Sequence, residues 1–425
     1  MPRFIPPEQS SASVDIPVPY SFEFEGERVR REDLQVEFGG EAGLSFELLT
    51  SKKEDEINDW DIEVIGPDID QLDGLSSSFP LAVIINVYGR KMQNDFEPVL
   101  ERHIHRFINY AFGVMHSGQR DTSSIRVSRN VYLKGFRLKH IGIILSAMLH
   151  KEYSAIVDKV EVRIYTKKED VERLLGDARK VFAARDKRLS GKTDESVDTY
   201  YSCLICQSLA PNHVCIITPE RTGLCGAYSW LDAKASFEIV PTGPNQPILK
   251  GRVLDKRLGQ WGNVNKFVKE KSNRNIKKVS IYSLIDSPMS SSALLESIVA
   301  VVPEANGVMV VSRNYPGLTP LGISFKALAE PVGTGVQTPG FLGISNLYIL
   351  SRKFILAEGG IKRLVWMPKE LKGLLAERLS SIARDIGEPD LLEQIADEGV
   401  AGTLEELLSF LSKAKHPALY MDPLI

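Results

Sequence analysis

Near the start of the chain, apolar and charged positions alternate. Phe22 and Phe24, then Val36 and Phe38, stand between charged or polar neighbours. Period two is the signature of half-buried strands, so residues 21–88 read as β-rich. Leu81 to Val87 is an apolar run interrupted only by Asn86, which predicts a central strand covered on both faces. From Asp95 the period changes. Phe96, Val99, Leu100, Phe107, Ile108 and Ala111 recur at helical spacing, predicting a helix to Met115. His103 and His105 would lie on it, two residues and about 200° apart, so they are read as polar-face or satisfied histidines rather than as partners on a metal.

A second helix is expected from Leu138 to Leu149 and a strand from Val160 to Tyr165. Thr166-x-x-Glu169 then reads as a capping box, opening a helix with Val171, Leu174, Leu175, Ala178, Val181 and Phe182 on one face. Residues 188–199 are polar and contain Gly191, and they form the expected domain boundary. Gly191-Lys192-Thr193 is like the end of a phosphate loop, but Asp186 stands where that loop needs its first glycine. Beyond the boundary, strands are expected over Lys278–Leu284, Val308–Ser312 and Leu364–Trp366. Helices are expected over Leu294–Val302, Glu370–Ala383 and Pro389–Ala396, with a last one capped by Thr403-x-x-Glu406. Gly333-Thr-Gly335 reads as a tight turn, and Lys362 and Arg363 as solvated.

Length fits this division, since 425 residues at roughly 100–200 per domain make two or three domains. The reading is an α/β protein with two mixed α/β domains, the second carrying a metal loop. Residues 1–20 form a flexible tail, 21–190 an N-terminal domain and 191–425 a C-terminal domain. Hydrophobic residues at 43% and charged residues at 25% exclude a disordered chain. A net charge of −3 gives no electrostatic case for nucleic acid or an anionic membrane. No apolar run nears the ~18 residues that span a bilayer, and the start of the chain lacks the apolar core of a signal peptide. A cytoplasmic protein is expected.

The cysteines change the picture most. There are four, Cys203, Cys206, Cys215 and Cys225, all within 23 residues, spaced C-x2-C-x8-C-x9-C. A disulfide framework would be spread wider. A tight group of four thiols, broken by Pro211, Pro219, Gly223 and Gly226, suits a chain wrapped around a compact metal centre. Both a [4Fe–4S] cluster and zinc are tetrahedral in sulfur. Spacing alone leaves cluster, zinc and unmetallated thiols open. His213, inside the loop, is read as a loop residue rather than a donor to a metal-bound sulfur.

The flanking residues resemble a family. Thr199-Tyr-Tyr-Ser-Cys203-x-x-Cys206-Gln-Ser-x-Ala-Pro211, Val214-Cys215-x-x-Thr218-Pro-x-Arg221 and Leu224-Cys225-Gly-Ala227-x-Ser-Trp230-x-Asp232 look like the cluster-binding segment of acetyl-CoA synthase, the β subunit of the acetyl-CoA decarbonylase/synthase complex. Phe24-Glu-Gly-Glu-Arg-Val-Arg30, Arg106-Phe-Ile-Asn-Tyr110, Arg313-Asn-Tyr-x-Gly317 and Gly340-Phe-Leu-Gly343 extend the likeness over most of residues 20–415. The opening resembles the short, methanogen-type form, which lacks the extra N-terminal domain of the long form.

The resemblance implies a [4Fe–4S] cluster on the four cysteines. It also implies a reaction that joins a methyl group, carbon monoxide and coenzyme A into acetyl-CoA, with a CO dehydrogenase and a corrinoid iron–sulfur protein as partners. In the family, one cluster cysteine bridges to a proximal nickel, and by position that cysteine is Cys206. A Cys-Gly-Cys triplet then links this nickel to a distal, square-planar one. Here Pro288-Met-Ser-Ser-Ser292-Ala293-Leu294-Leu295-Glu296 puts Ser292, Ala293 and Leu294 at the triplet. A serine hydroxyl is a hard, poorly acidic ligand and leucine is none, so the distal nickel loses both thiolates. Leu209 also replaces the family's usual Phe. Two function classes follow: an enzyme of the acetyl-CoA synthase type, or a paralogue that keeps fold and cluster for electron transfer, other chemistry or partner binding. The triplet is expected at a helix N-terminus beside the cysteine loop.

Overall fold

The computed structural model describes residues 14–425 except 26, 41–43, 73–77 and 118–122. The chain divides into two compact units, Met1–Arg188 and Leu189–Ile425. Most of the expected tail lies outside the described residues. Its last residues do not hang free, because the Tyr20 hydroxyl donates to the Phe107 carbonyl at 2.9 Å.

In the first unit the apolar run became the strand Leu81–Tyr88. It sits inside a four-stranded mixed sheet between Ser45–Ser51 and Lys159–Tyr165, with Asp61–Ile65 at the edge. The pairing is parallel, antiparallel and parallel in turn. The helix Lys168–Lys187 lays Val171, Leu175, Ala178 and Phe182 against Phe46, Leu48 and Ala82. The helix Leu138–Glu152 approaches so closely that a Cβ on Gly142 would meet the Ile62 side chain at 2.4 Å. Only glycine permits that contact. The strand Leu34–Gly39 lies in a second sheet with Ser78–Phe79, Ser124–Ser128 and Val114–Ser117. Arg185 is buried between Glu101 at 2.9 Å and Glu97 at 3.1 Å.

Several expectations fail here. Phe22–Phe24 is a short 3-10 helix capped by Ser21, not a strand, and Phe22 is exposed. The helix expected from Asp95 to Met115 is two short ones, Glu97–Glu101 and Ile104–Asn109, followed by the strand Val114–Ser117. The break falls at His103, whose N–H bonds three residues back to Leu100 at 3.0 Å, tightening the turn. His103 stacks on Phe107 and His105 on His116. Thr166 does not cap. Its hydroxyl bonds the Pro67 carbonyl at 2.8 Å, and the helix starts at Lys168 without a side-chain cap.

The second unit is built on a four-stranded sheet in the order Phe341–Ile344, Ser297–Val302, Gly307–Ser312 and Leu364–Trp366. The helix expected over Leu294–Val302 is thus a central strand. All six residues of Ser-Ile-Val-Ala-Val-Val are buried, and a strand buried on both faces carries no period to tell it from a helix; its β-branched content decided the matter. Lys278–Leu284 is no strand. Ser280, Ile281 and Tyr282 send their N–H groups to Ser287, Gly259 and Leu258, which makes no regular ladder. The helix Lys369–Asp385 forms as expected, Leu391–Gln394 is a single turn, and Thr403 and Glu406 make the expected capping box on Leu404–Ala414. Arg363 is not solvated. Its guanidinium donates to the carbonyls of Glu358, Asn306 and Asp422 at 2.7–2.8 Å. Among the described residues, no helix is long and apolar enough to cross a membrane.

Candidate metal centre

Two strands bring the first and third cysteines together. Thr199–Cys203 pairs antiparallel with Cys215–Ile217, placing Cys203 directly opposite Cys215. Residues opposite one another across such a ladder have Cα atoms about 4.5–5.5 Å apart. After Cys203 the chain turns through the 3-10 helix Ile205–Ser208. The Cys206 carbonyl accepts from the N–H groups of Leu209 and Ala210 at 3.0 and 2.9 Å. Gln207 ties this excursion down, donating to the carbonyls of His213 at 3.0 Å and Lys271 at 2.8 Å.

Cys225 arrives on a glycine turn. Gly223 N–H bonds the Tyr228 carbonyl and Gly226 N–H the Gly223 carbonyl, both at 2.8 Å. Gly226 has φ +72°, and a Cβ there would strike the Glu296 carboxylate. Glycine is required on both counts. The Glu296 N–H also bonds the Leu224 carbonyl at 3.1 Å. The Cys225 turn is thereby stitched to the residues that follow the triplet.

The triplet lies in a loop before the strand Ser297–Val302, not at a helix N-terminus. Ser290, Ser291 and Ser292 are all buried. Ser290 Oγ stands 3.1 Å from His213 Nδ1. Ser291 accepts from Gly343 N–H at 2.8 Å through its hydroxyl and from Gly335 N–H at 2.9 Å through its carbonyl. Ser292 bridges Thr334, so the Gly333–Gly335 segment is a turn that packs on this loop. Arg313 donates to the Ala293 carbonyl at 2.6 Å, and Gln337 to Pro288 at 2.8 Å. The Ser292 hydroxyl accepts from the Leu294 N–H at 3.3 Å. Leu294 is partly exposed, and Leu209 more so.

All four cysteines are free thiols, three of them buried. Burial pushes the Cys203 thiol well above its ordinary range, and Cys215, Cys225 and Cys206 push it further, against a hydrogen bond from the Ile205 backbone. Cys215 is pushed up to about 12 by burial, with Cys225 and Cys206 adding to it while the Leu224 backbone and the buried Arg221 oppose. Cys206 is raised by burial and lowered by Ser292. Burial of Cys203, Cys206 and Cys215 thus favours neutral thiols unless a cationic centre takes up the negative charge. Among the described residues, no three His, Cys, Asp or Glu side chains are already gathered around one point. Sharing a centre requires the cysteine side chains to turn inward from backbone positions that the ladder and the glycine turn have set. The donor set fits a tetrathiolate centre.

Sequence reasoning passed over three residues. Arg221 is buried over the Tyr348 ring at 4.3 Å and donates to the Ile281 carbonyl at 2.7 Å. It places a fixed positive charge near Cys215. Gln207 and Gln337 hold the two loops. Gln207 lies within the quoted cysteine motif but carried no chemistry by spacing. His213 is fully buried rather than a plain loop residue; burial, then Arg221, pulls it down to about 4, so it is neutral.

Comparison with known proteins decides the family. The model for the C-terminal part of the ACS/CODH beta subunit matches residues 182–425, and the CO dehydrogenase/acetyl-CoA synthase complex beta subunit model matches residues 16–171. The chain belongs to the CO dehydrogenase/acetyl-CoA synthase β-subunit family. It is 50% identical over 414 residues to the carbon monoxide dehydrogenase/acetyl-CoA synthase subunit alpha of Moorella thermoacetica, covering 97% of this chain and 56% of that protein. To the acetyl-CoA decarbonylase/synthase complex subunit beta of Methanopyrus kandleri it is 44% identical over 405 residues, covering 95% of this chain and 85% of that one. The subunit beta 2 of Methanocaldococcus jannaschii is 42% identical, with 95% and 83% covered. The chain thus spans little more than half of the Moorella relative and most of these two β subunits.

Proposed function

We propose that this member of the acetyl-CoA synthase β-subunit family carries a [4Fe–4S] cluster on Cys203, Cys206, Cys215 and Cys225 and no distal nickel. One observation carries the reading: the position of the two nickel thiolates is filled by Ser292-Ala293-Leu294, with Ser292 buried. A cluster bound there supplies one-electron chemistry and a soft sulfur surface. The protein's own contribution is to hold four soft donors in a dry pocket, with Arg221 offsetting part of their charge and Gln207 fixing the loop that carries Cys206.

The family reaction needs a thiolate-built nickel pair, and this chain has no cysteine beyond the four to supply it. The function best supported is therefore a synthase-like iron–sulfur subunit that transfers electrons, performs other chemistry or docks the partners of such a complex, a CO dehydrogenase or a corrinoid iron–sulfur protein. Coenzyme A binding and a cytoplasmic setting belong to the same proposal. Carbonyl exchange between carbon monoxide and acetyl-CoA tests it. The anaerobically purified protein should give no exchange above the protein-free rate, even with nickel added. Exchange at many times that rate would mean that a nickel site assembles here without the two thiolates.

A further inference from the structure

The cysteine loop is uncharged. Between Cys203 and Cys215 the chain has no Asp, Glu, Lys or Arg, and Ile205 and Leu209 stand exposed on it. Charge is supplied by the segment clamped against it. Gln207 donates to the Lys271 carbonyl at 2.8 Å, and Asn275 donates to the Asn212 side chain at 2.9 Å. Gln337 bridges the carbonyls of Lys278 and Pro288, at 2.7 and 2.8 Å, which ties the same segment to the triplet loop. Lys266, Lys269, Lys271, Arg274, Lys277 and Lys278 are all exposed, and Glu270 is the one acidic residue among them. This strip of cations belongs to a chain whose net charge is −3. Of the six, only Lys278 has an ion-pair partner among the described residues, Asp286 at 3.4 Å. Lys269 and Lys271 sit in the last turn of the helix Gly262–Lys271, where they complement its dipole. The dipole gives no reason for Arg274, Lys277 and Lys278, which lie beyond the helix. Arg274 is moreover held at φ 66°, in the left-handed region that suits glycine. The turn carries a guanidinium on a strained backbone.

We propose that residues 266–278 are the docking surface for an acidic electron-carrier protein that passes one electron at a time to the cluster on the adjoining cysteine loop. The inference rests on the proposed [4Fe–4S] reading and names a partner for it. Unpaired cations steer an acidic protein towards the loop and orient it. Ile205 and Leu209 then give apolar contact where the surfaces meet, and a small contact of this kind lets go quickly, as a redox encounter must. A nucleic-acid backbone would match the cations but has no use for the two apolar side chains. In the transfer the reduced carrier loses one electron and the oxidised cluster gains it, and no bond is made or broken.

The test follows cluster reduction by stopped-flow absorbance in the anaerobically purified protein. Reduced flavodoxin, an acidic flavin protein with its own absorbance, is the carrier, and dithionite is a small reductant that needs no docking. The flavodoxin rate should fall about tenfold between low salt and ~0.5 M salt. Lys269→Glu combined with Lys277→Glu should slow it about tenfold at low salt, while dithionite reduction stays within about twofold of wild type. Arg274→Gly should also slow the flavodoxin reaction, yet unfold no earlier than wild type, because glycine relieves the turn. A flavodoxin rate that ignores both salt and the charge reversal would overturn this inference alone, as would a cluster that dithionite reduces and flavodoxin does not. Salt-sensitive binding of a DNA fragment beside such an indifferent rate would reassign the strip to nucleic acid. Wild type without iron would overturn the inference together with the cluster.

Discussion

Replacing Cys203 with alanine should strip the chain of its metal, lowering iron from about four per chain to below one. Cys203 sits opposite Cys215 at the end of a ladder, the point where two of the four donors are positioned by backbone pairing rather than by loop conformation. A cluster on these four cysteines would be left with one iron lacking its thiolate. Metal affinity is folding free energy when the site is unformed in the unfolded chain, so the second unit should also melt earlier than the metal-loaded wild type. Iron and sulfide content, visible absorbance and thermal unfolding read the effect. Retention of four irons by Cys203→Ala would show that the ligand set is wrongly assigned.

The second large effect concerns the triplet. The combined change Ser292→Cys, Ala293→Gly and Leu294→Cys should convert a chain that takes up no nickel into one that binds about one to two nickel ions. Ser292→Cys exchanges oxygen for sulfur in a side chain that is already buried. Leu294→Cys removes an isobutyl group that is partly exposed, so no core cavity opens. Ala293→Gly removes a methyl group from an exposed position. The surrounding hydrogen bonds to Ser291 and Ala293 stay in place because they use backbone groups and the Ser291 hydroxyl. Nickel per chain after anaerobic loading, together with carbonyl exchange, measures the gain. A triple variant that keeps its iron and takes up no nickel would mean that the pocket has changed beyond its ligands.

What could be read from the sequence was local. The four cysteines fall in one short segment and the altered triplet in another, so residue type and spacing were enough to single both out. The strand Leu81–Tyr88 and the capped helix Leu404–Ala414 were legible for the same reason: each carries its own periodicity or its own cap. Ser297–Val302 was misread because a doubly buried strand has no amphipathic period, and what makes it a strand is the pairing with Gly307–Ser312 and Phe341–Ile344. The helix over Asp95–Met115 failed because Val114–Ser117 pairs antiparallel with the next strand, Ser124–Ser128. The burial of Ser292, the seat of His213 on Ser290 and the burial of Arg221 are tertiary facts. No pattern along the chain encodes them, although each of these residues lies in or beside a motif that the resemblance had already marked.

The central claim is a four-thiolate iron–sulfur centre without its nickel partner, and the metal and sulfide content of the anaerobically expressed protein, grown with iron, nickel and zinc all supplied, tests it most directly. The account predicts about four iron and four sulfide per chain with nickel and zinc at trace level. One zinc per chain without sulfide, or two nickel beside the iron, would contradict it.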